Sequence, residues 1–383
     1  MKLAGVFSAV LALTAAFGAE AAKPEAGPDH QCTSWIVFSD LTRDGTNILH
    51  KNRDASSRKV IMMRSADSSP RKWIGMGSRG RVDYVCMGLN ASGLAGVMNS
   101  GEPTHENTID LKWTGRGTAA MLRDILENCD TAAQAAGKVR SFIERKDYRD
   151  EEKQGTIFLF VDTKEGYIVE FSAGSCSSRR YDRGYVLRAN LWRNPGMAKL
   201  AASPWKRFLG NSIREYAVMS ALNRTLAKKG RLGVADMLAV ARNCEEPKRA
   251  PLERRVCYKY TNSTSTLVVD REYPDVLSTG YMNIGYPRHT VCVPVPVCIG
   301  QLDERMTDLS WSGAAVARFD KFGYDAPMPE KWVEFEEKSR TEYASRLAEA
   351  RKLLKAGKKD AAVALVNASA AKIWNEAAKL LGR

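Results

Sequence analysis

Histidine is scarce in this 383-residue chain: its four copies, at positions 30, 50, 105 and 289, are scattered and form no ligand-like group. Cys-x-x-Cys is absent as well, so neither a zinc-ligand spacing nor a redox dithiol is present, and no metal or cofactor is called for. Beyond the first residues no apolar run approaches the roughly 20 residues that a membrane-spanning helix needs. Zinc-finger spacing, an RNA-binding signature and basic runs interleaved with aromatics are all missing, so the net charge of +14 does not single out nucleic acid. That charge reads as a basic solvated surface with a leaning toward acidic partners. There is no internal repeat and no low-complexity linker.

What is present begins with a secretion pattern. Lys2 supplies a short basic region, Leu3–Phe17 is apolar, and Ala19-Glu20-Ala21 offers a small-x-small cleavage site. Residues 1–21 are therefore expected to be a signal peptide, residues 22–31 a short propeptide, and the mature protein to be exported, periplasmic or extracellular. Export permits disulfides among the eight cysteines at 32, 86, 129, 176, 244, 257, 292 and 298. Cys292 with Cys298, and Cys244 with Cys257, are the sequence-local candidates, although spacing alone does not fix the connectivity.

Hydrophobic period and turn residues give the layout. Cys32–Ser39 and Asn47–Lys51 read as a hairpin around Thr42-Arg43-Asp44-Gly45-Thr46. Val82–Leu89 and Leu94–Met98 form a second strand pair, and Thr156–Val161 and Tyr167–Phe171 a third. Tyr185–Ala189, Ser265–Asp270 and Val276–Tyr281 are further strands. Helical periods cover Thr118–Glu127, Thr131–Arg145, Asn211–Lys228 and Val234–Asn243. Blocks of strands alternating with blocks of helices fit an α+β fold, with helices covering stacked antiparallel sheets, better than a βαβ repeat. From Pro329 the sequence turns rich in Ala, Lys and Glu. Lys331–Ala356 and Lys359–Leu381, broken at Gly357, predict a helical hairpin with a structural or dimerising role. The expected domains are thus 32–328 and the hairpin 329–383, with a homo-oligomer compatible with the latter.

Cys32 is the residue on which function turns. It could be a structural half-cystine, or a papain-type nucleophile, for which no histidine has the right context. A third option needs no histidine. Cleavage between Gln31 and Cys32 would give Cys32 a free α-amine, titrating near 7.7–8.0, beside a thiol titrating near 8.5. The amine could then act as a built-in general base.

CTSWIVFSDLTRDGTNILHKNRD, residues 32–54, resembles the opening of the cysteine branch of the N-terminal-nucleophile hydrolases. That group contains conjugated bile acid hydrolases, penicillin V acylases, isopenicillin-N acyltransferases and some dipeptidases. The resemblance continues in GLNASGLAGVMNSG (88–101), TIFLFVDTKEGYIVEFS (156–172), VLRAN (186–190) and Ser263–Ile284, and spans roughly residues 32–300. It implies a four-layer αββα sandwich and a set of roles. Cys32 would be nucleophile and base, and Asp54 would accept a hydrogen bond from the Cys32 amine. Asn99 would donate to the developing oxyanion, and Asn190 would orient the amine or the substrate carbonyl. An active-site arginine on the following helix would be Arg214 in NSIREYAVMSAL, with Arg207 in SPWKRF as the rival. Thr33 and Ser34 read as supports of the nucleophile strand. Trp192 and Trp205 are candidates for an acyl pocket, with core packing the preferred role.

Bile acid hydrolases carry an arginine at the position of Lys51; lysine keeps the charge but loses the planar fork. The pattern therefore leans to the acyltransferase-like secreted branch. The implied activity is cleavage of a linear N-acyl amide, or of a short peptide, through an acyl-thioester on Cys32. A dipeptidase is the nearest alternative, and a non-catalytic exported binding protein with Cys32 in a disulfide is the alternative from another class.

Overall fold

Alternation along the first strand decides which layer each of its residues enters. Trp35 and Val37 join one core, while Ile36 and Phe38 join another, as the period of two requires. The protein is seen in a computed structural model that describes residues 30–78, 84–102, 115–149, 155–172, 174–202, 205–243 and 256–383.

In chain order the strands are β1 (His30–Val37), β2 (Asn47–Ala55), β3 (Val60–Arg64), β4 (Trp73–Ser78), β5 (Val85–Asn90), β6 (Ala95–Ser100), β7 (Arg116–Gly117), β8 (Tyr148–Arg149), β9 (Thr156–Val161), β10 (Gly166–Ser172), β11 (Ser175–Tyr181), β12 (Tyr185–Arg188), β13 (Thr261–Val269), β14 (Thr279–Asn283) and β15 (Val293–Pro296). The helices are α1 (Thr118–Asn128), α2 (Ala132–Glu144), α3 (Pro195–Ala198), α4 (Trp205–Lys229), α5 (Val234–Ala241), α6 (Pro274–Leu277), α7 (Glu304–Thr307), α8 (Ser310–Phe322), α9 (Glu330–Lys355) and α10 (Lys359–Leu380). One sheet runs β12-β1-β2-β13-β14-β15 and the other β11-β10-β9-β6-β5-β4-β3. Neighbours in both are antiparallel.

Three hydrophobic layers hold four structural ones. Ile36, Leu49 and Leu267 of the first sheet meet Met87, Leu89, Val97 and Leu159 of the second. Helices α1 and α2 bury Leu122, Ile125, Val139 and Phe142 on the far face of the second sheet, against Phe158, Phe160 and Phe171. Val218 and Leu222 of α4, with Met237 and Val240 of α5, cover Trp35, Val37 and Ile48 on the far face of the first. The αββα sandwich expected from the sequence is the one observed. Both faces of β2 are covered, so all nine of its residues are buried, polar ones included.

Several boundaries differ from expectation. β1 starts at His30, two residues before Cys32, and β2 runs on to Ala55. Val82 and Asp83 lie outside the described residues. Strands β3, β4, β11 and β15 were not foreseen. The expected strand at Val276–Tyr281 is split into helix α6 and strand β14, because Pro274 opens a helical turn and the chain re-extends at Ser278. Cys292 and Cys298 both carry free thiols rather than bridging each other, with β15 laid out between them. Cys244 lies outside the described residues.

The C-terminal hairpin is part of the sandwich. Gly357 takes φ +74 at its bend, a conformation that glycine adopts without strain. Trp374 Nε1 donates to the Pro294 carbonyl at 2.8 Å, tying α10 to β15. Glu336, 2% exposed on α9, accepts both Arg242 terminal nitrogens at 2.6 and 2.7 Å and the Cys292 main-chain N–H at 2.5 Å. Losing one partner of such a pair costs about 3–5 kcal/mol. Glu336→Ala should lower the unfolding free energy by about that much in urea titration, and a loss below about 1 kcal/mol would mean that the hairpin is not fastened there.

Candidate active site

Cross-strand register assembles the site. In the β1–β2 pairing Gln31 lies opposite Asp54, Cys32 opposite Arg53, Thr33 opposite Asn52 and Ser34 opposite Lys51. Opposed residues share a face. Cys32, Ser34, Lys51 and Arg53 therefore look between the sheets, while Thr33, Asn52 and Asp54 look toward α4 and α5. Cys32 is 6% exposed and its thiol is free.

Its main chain is held from two sides. The Cys32 nitrogen donates to Asn190 Oδ1 at 2.9 Å. Arg214, reaching in from α4, donates from Nη2 to the same oxygen at 2.8 Å and also to Asn211 Oδ1. Its Nη1 meets Asp54 Oδ2 at 3.2 Å, with longer contacts to Thr33 Oγ1 at 3.3 Å and the Cys32 carbonyl at 3.4 Å. Thr261 Oγ1 donates to the other Asp54 oxygen at 2.6 Å, and Asn190 Nδ2 donates to the Ser100 carbonyl at 2.7 Å. Arg207, the rival arginine, donates instead to the Gly101 carbonyl at 2.9 Å.

Asn99 sits at the sheet-facing side of this network. Its Oδ1 accepts from Ser34 Oγ at 2.8 Å and from Lys51 Nζ at 2.9 Å. Its Nδ2 donates to the Arg188 and Ala189 carbonyls, both at 3.1 Å. Both amide protons are thus engaged here, and donation to an oxyanion would require one to be released. Asp54 likewise reaches Cys32 through Arg214, whereas Asn190 takes the nitrogen. Cys32, Asp54, Asn190 and Arg214 thus share one network, with Asn99 beside it on Ser34 and Lys51; Asn190 bonds the Cys32 nitrogen, and Asp54, expected on that nitrogen, meets Arg214 instead.

Sequence reading passed over Asn211, one helical turn before Arg214 on the same face, and Thr261, which faces Asp54 across the β2–β13 ladder. Ser34 and Thr33, expected as supports, hold Asn99 and touch Arg214 respectively. Trp192 is buried, as preferred, but Trp205 is 72% exposed and stacks on Phe208 with ring centroids 5.6 Å apart. The preference for core packing fails at Trp205.

Burial pushes the Asp54 carboxyl up to about 7, against the downward pull of Arg214 and Thr261. Burial holds His50 down at about 3, so it is neutral at physiological pH. Its ring is stacked on Trp35 and bonded to Thr266 and Asn52, where it serves packing. Among the described residues no three His, Cys, Asp or Glu side chains are grouped to hold a metal ion.

Residues 41–288, more than half of the chain, match the family described as acyl-coenzyme A:6-aminopenicillanic acid acyl-transferase. Asp54, Asn99, Asn190 and Arg214 fall inside that span, and Cys32 precedes it. No curated protein matches the chain. Among solved structures it is similar to a mutant of conjugated bile acid hydrolase from Clostridium perfringens, at 13% identity and TM-score 0.45, over 71% of this chain and 95% of that one. It is also similar to penicillin V acylase from Agrobacterium tumefaciens, at 14% identity and TM-score 0.43, over 69% and 86%. Both likenesses are too loose to carry an argument.

Asp54 sets a pH signature. Unfolded, it ionises near 3.8; folded, near 7. The folded chain keeps a proton that the unfolded chain has lost, so this contribution to stability declines as pH rises from about 4 to about 7. Across that range the wild-type Tm should fall relative to that of Asp54→Asn. Parallel melting curves would show that the carboxyl ionises in the fold as it does in water.

Proposed function

The chain belongs to the acyl-coenzyme A:6-aminopenicillanic acid acyl-transferase family, and from that premise we propose that it is an exported, self-processing cysteine amidohydrolase or acyltransferase. Cys32, once freed at its amino end, is the nucleophile. The observation that carries this reading is the grip on the Cys32 main chain: the nitrogen on Asn190, the carbonyl near Arg214, and both of these residues bonded to each other.

The reaction runs in two stages. In the first, the thiol adds to the Gln31 carbonyl, a carbon–sulfur bond forms, the Gln31–Cys32 amide bond breaks, and the thiol proton passes to the departing nitrogen. Water then hydrolyses the thioester and releases residues 22–31. β1 runs unbroken through that bond, so the sheet ladder would hold the carbonyl and the sulfur in fixed register before cleavage. In the second stage the α-amine takes the thiol proton, the sulfur attacks the amide carbonyl of the substrate, and the amine half leaves with that proton. Water or a competing amine accepts the acyl group. Asn190 orients the α-amine. Asn99 steadies the oxyanion once one of its protons turns from the Arg188 or Ala189 carbonyl, a contribution of about 2.7–4 kcal/mol in comparable sites.

The substrates are N-acyl amides, with short peptides as the second choice. The free Cys32 thiol favours the enzyme over a binding protein that keeps Cys32 in a disulfide. Intact-mass analysis of the exported protein should give a chain beginning at Cys32. Cys32→Ala should remain unprocessed and inactive, and Cys32→Ser should process slowly. An alanine variant that still turns over amides would remove Cys32 from the mechanism. Asn190→Ala should lower kcat about 10- to 100-fold by loosening the amine, measured with any amide that acylates the wild-type cysteine.

A further inference from the structure

Helices α4 and α5, the layer outside the first sheet, frame a groove of about 510 Å³. Cations enter its lining from three directions. Arg224, Lys228 and Lys229 come from the C-terminal turns of α4, Arg242 follows α5, and Arg288 lies on the connection between β14 and β15. Asp236 is the one carboxylate in the lining, and it is already held by Lys229 Nζ at 2.6 Å, Arg43 Nη2 at 2.7 Å and the Gly233 N–H at 2.9 Å. Arg242 is likewise occupied by Glu336 and the Pro287 carbonyl. Arg224, Lys228 and Arg288 remain. Arg224 donates to Ser220 Oγ at 2.6 Å, and among the described residues none of these three meets a carboxylate in an ion pair. Lys228 and Lys229 by themselves would read as cations complementing the negative end of the α4 dipole. That account does not extend to Arg224, which precedes the last turn, nor to Arg288, which belongs to neither helix. Between the cations the lining is neutral, with Ala221, Ala239 and Val240 beside Thr225 and Asn243. A hollow lined by one sign of charge over low-dielectric walls concentrates the potential of that sign.

We propose that this groove is a second binding site, which takes a small soluble molecule carrying two or more phosphate groups. Its volume falls within the range of small-ligand sites, roughly 300–1,000 Å³. Arg224 and Arg288 present guanidinium forks that take phosphate oxygens in pairs, and Lys228 adds a point charge. A single phosphate would engage one fork. Cations spread over a helix and a separate connection suit a ligand whose anionic groups are also spread. The groove stands apart from the cysteine site: Arg214 lies ten residues before Arg224 on α4, about 15 Å along the helix axis. The assignment therefore holds or fails independently of the reading of Cys32.

The test is calorimetric titration of the purified protein with inorganic tripolyphosphate, which should bind at one site per chain and more weakly as salt is added. Arg288→Gln and Lys228→Gln should each weaken binding about 10-fold, and the double variant about 100-fold, as expected for the loss of charge-assisted contacts. Lys352→Gln, an exposed lysine on α9 far from the groove lining, should leave the affinity unchanged. Absence of saturable binding overturns the site. So does an equal loss in Lys352→Gln, which would reduce the effect to diffuse attraction by a basic chain. Orthophosphate binding as tightly as tripolyphosphate would overturn the requirement for a second phosphate. Vesicles of phosphatidylcholine with and without phosphatidylglycerol separate the sources: anion-dependent retention that is lost in Arg288→Gln and not displaced by tripolyphosphate would make this a lipid-headgroup site and overturn the soluble ligand. If Arg288→Gln does not fold, Lys228→Gln and Arg224→Gln, both on exposed helix surface, decide.

Discussion

The Arg214–Asp54 ion pair is the joint on which the site is built. Both side chains are essentially removed from solvent, at 1% and 0% exposure. A buried pair leans on its remaining donors and acceptors for stability. Asn190, Asn211, Thr33 and the Cys32 carbonyl engage the two terminal guanidinium nitrogens, while Nε has no partner among the described residues, and Thr261 takes the other carboxylate oxygen. Those partners come from β1, β2, the end of β12, β13 and α4. Arg214 therefore links the outer helical layer directly to the nucleophile strand, in addition to the apolar packing of α4 and α5 on that sheet. Displacing α4 would strand Asp54, whose charge is already disfavoured by burial.

Buried charge in the sandwich is handled differently at the site and away from it. Arg188, buried nearby, has its carboxylate: Glu170 accepts from its Nε at 2.8 Å and from the Arg193 and Asn194 main-chain nitrogens. On the face that carries the sulfur, Lys51 and Arg53 are held instead by neutral oxygens, and Asp54 acts on both only through space, from the neighbouring face.

Much of this arrangement could be read from the chain. The β1–β2 hairpin announced itself through alternation and the Asp44-Gly45 turn, and Thr156–Val161 matched its strand residue for residue. Strands β3 and β4 did not, because VIMMR and WIGMGS have no clean alternation of apolar and polar residues. The apolar run through Val276 hid a helix-to-strand change that only tertiary contacts decide. Arg207 and Arg214 are seven residues apart, two helical turns, and so share a face. Sequence could narrow the choice to that face, but the axial offset of about 10 Å that brings only Arg214 to Asp54 is a property of packing. Trp205 was misjudged for the converse reason: a bulky aromatic reads as core unless the helix face it occupies is known to be open.

Register ties these threads together. β1 is paired on both sides, to β12 and to β2, and its placement is fixed by which alternate set of residues fits which core. Trp35 and Val37 fill the helix-facing layer, and Ile36 and Phe38 fill the space between the sheets. A slip of one residue would exchange every side chain between faces. It would bury Trp35 where Ile36 now fits, and would turn the Cys32 sulfur toward α4, away from Asn99, Lys51 and Arg53. The proposed chemistry is therefore specified at a distance: four apolar residues with no part in catalysis determine which face of the sheet the sulfur occupies.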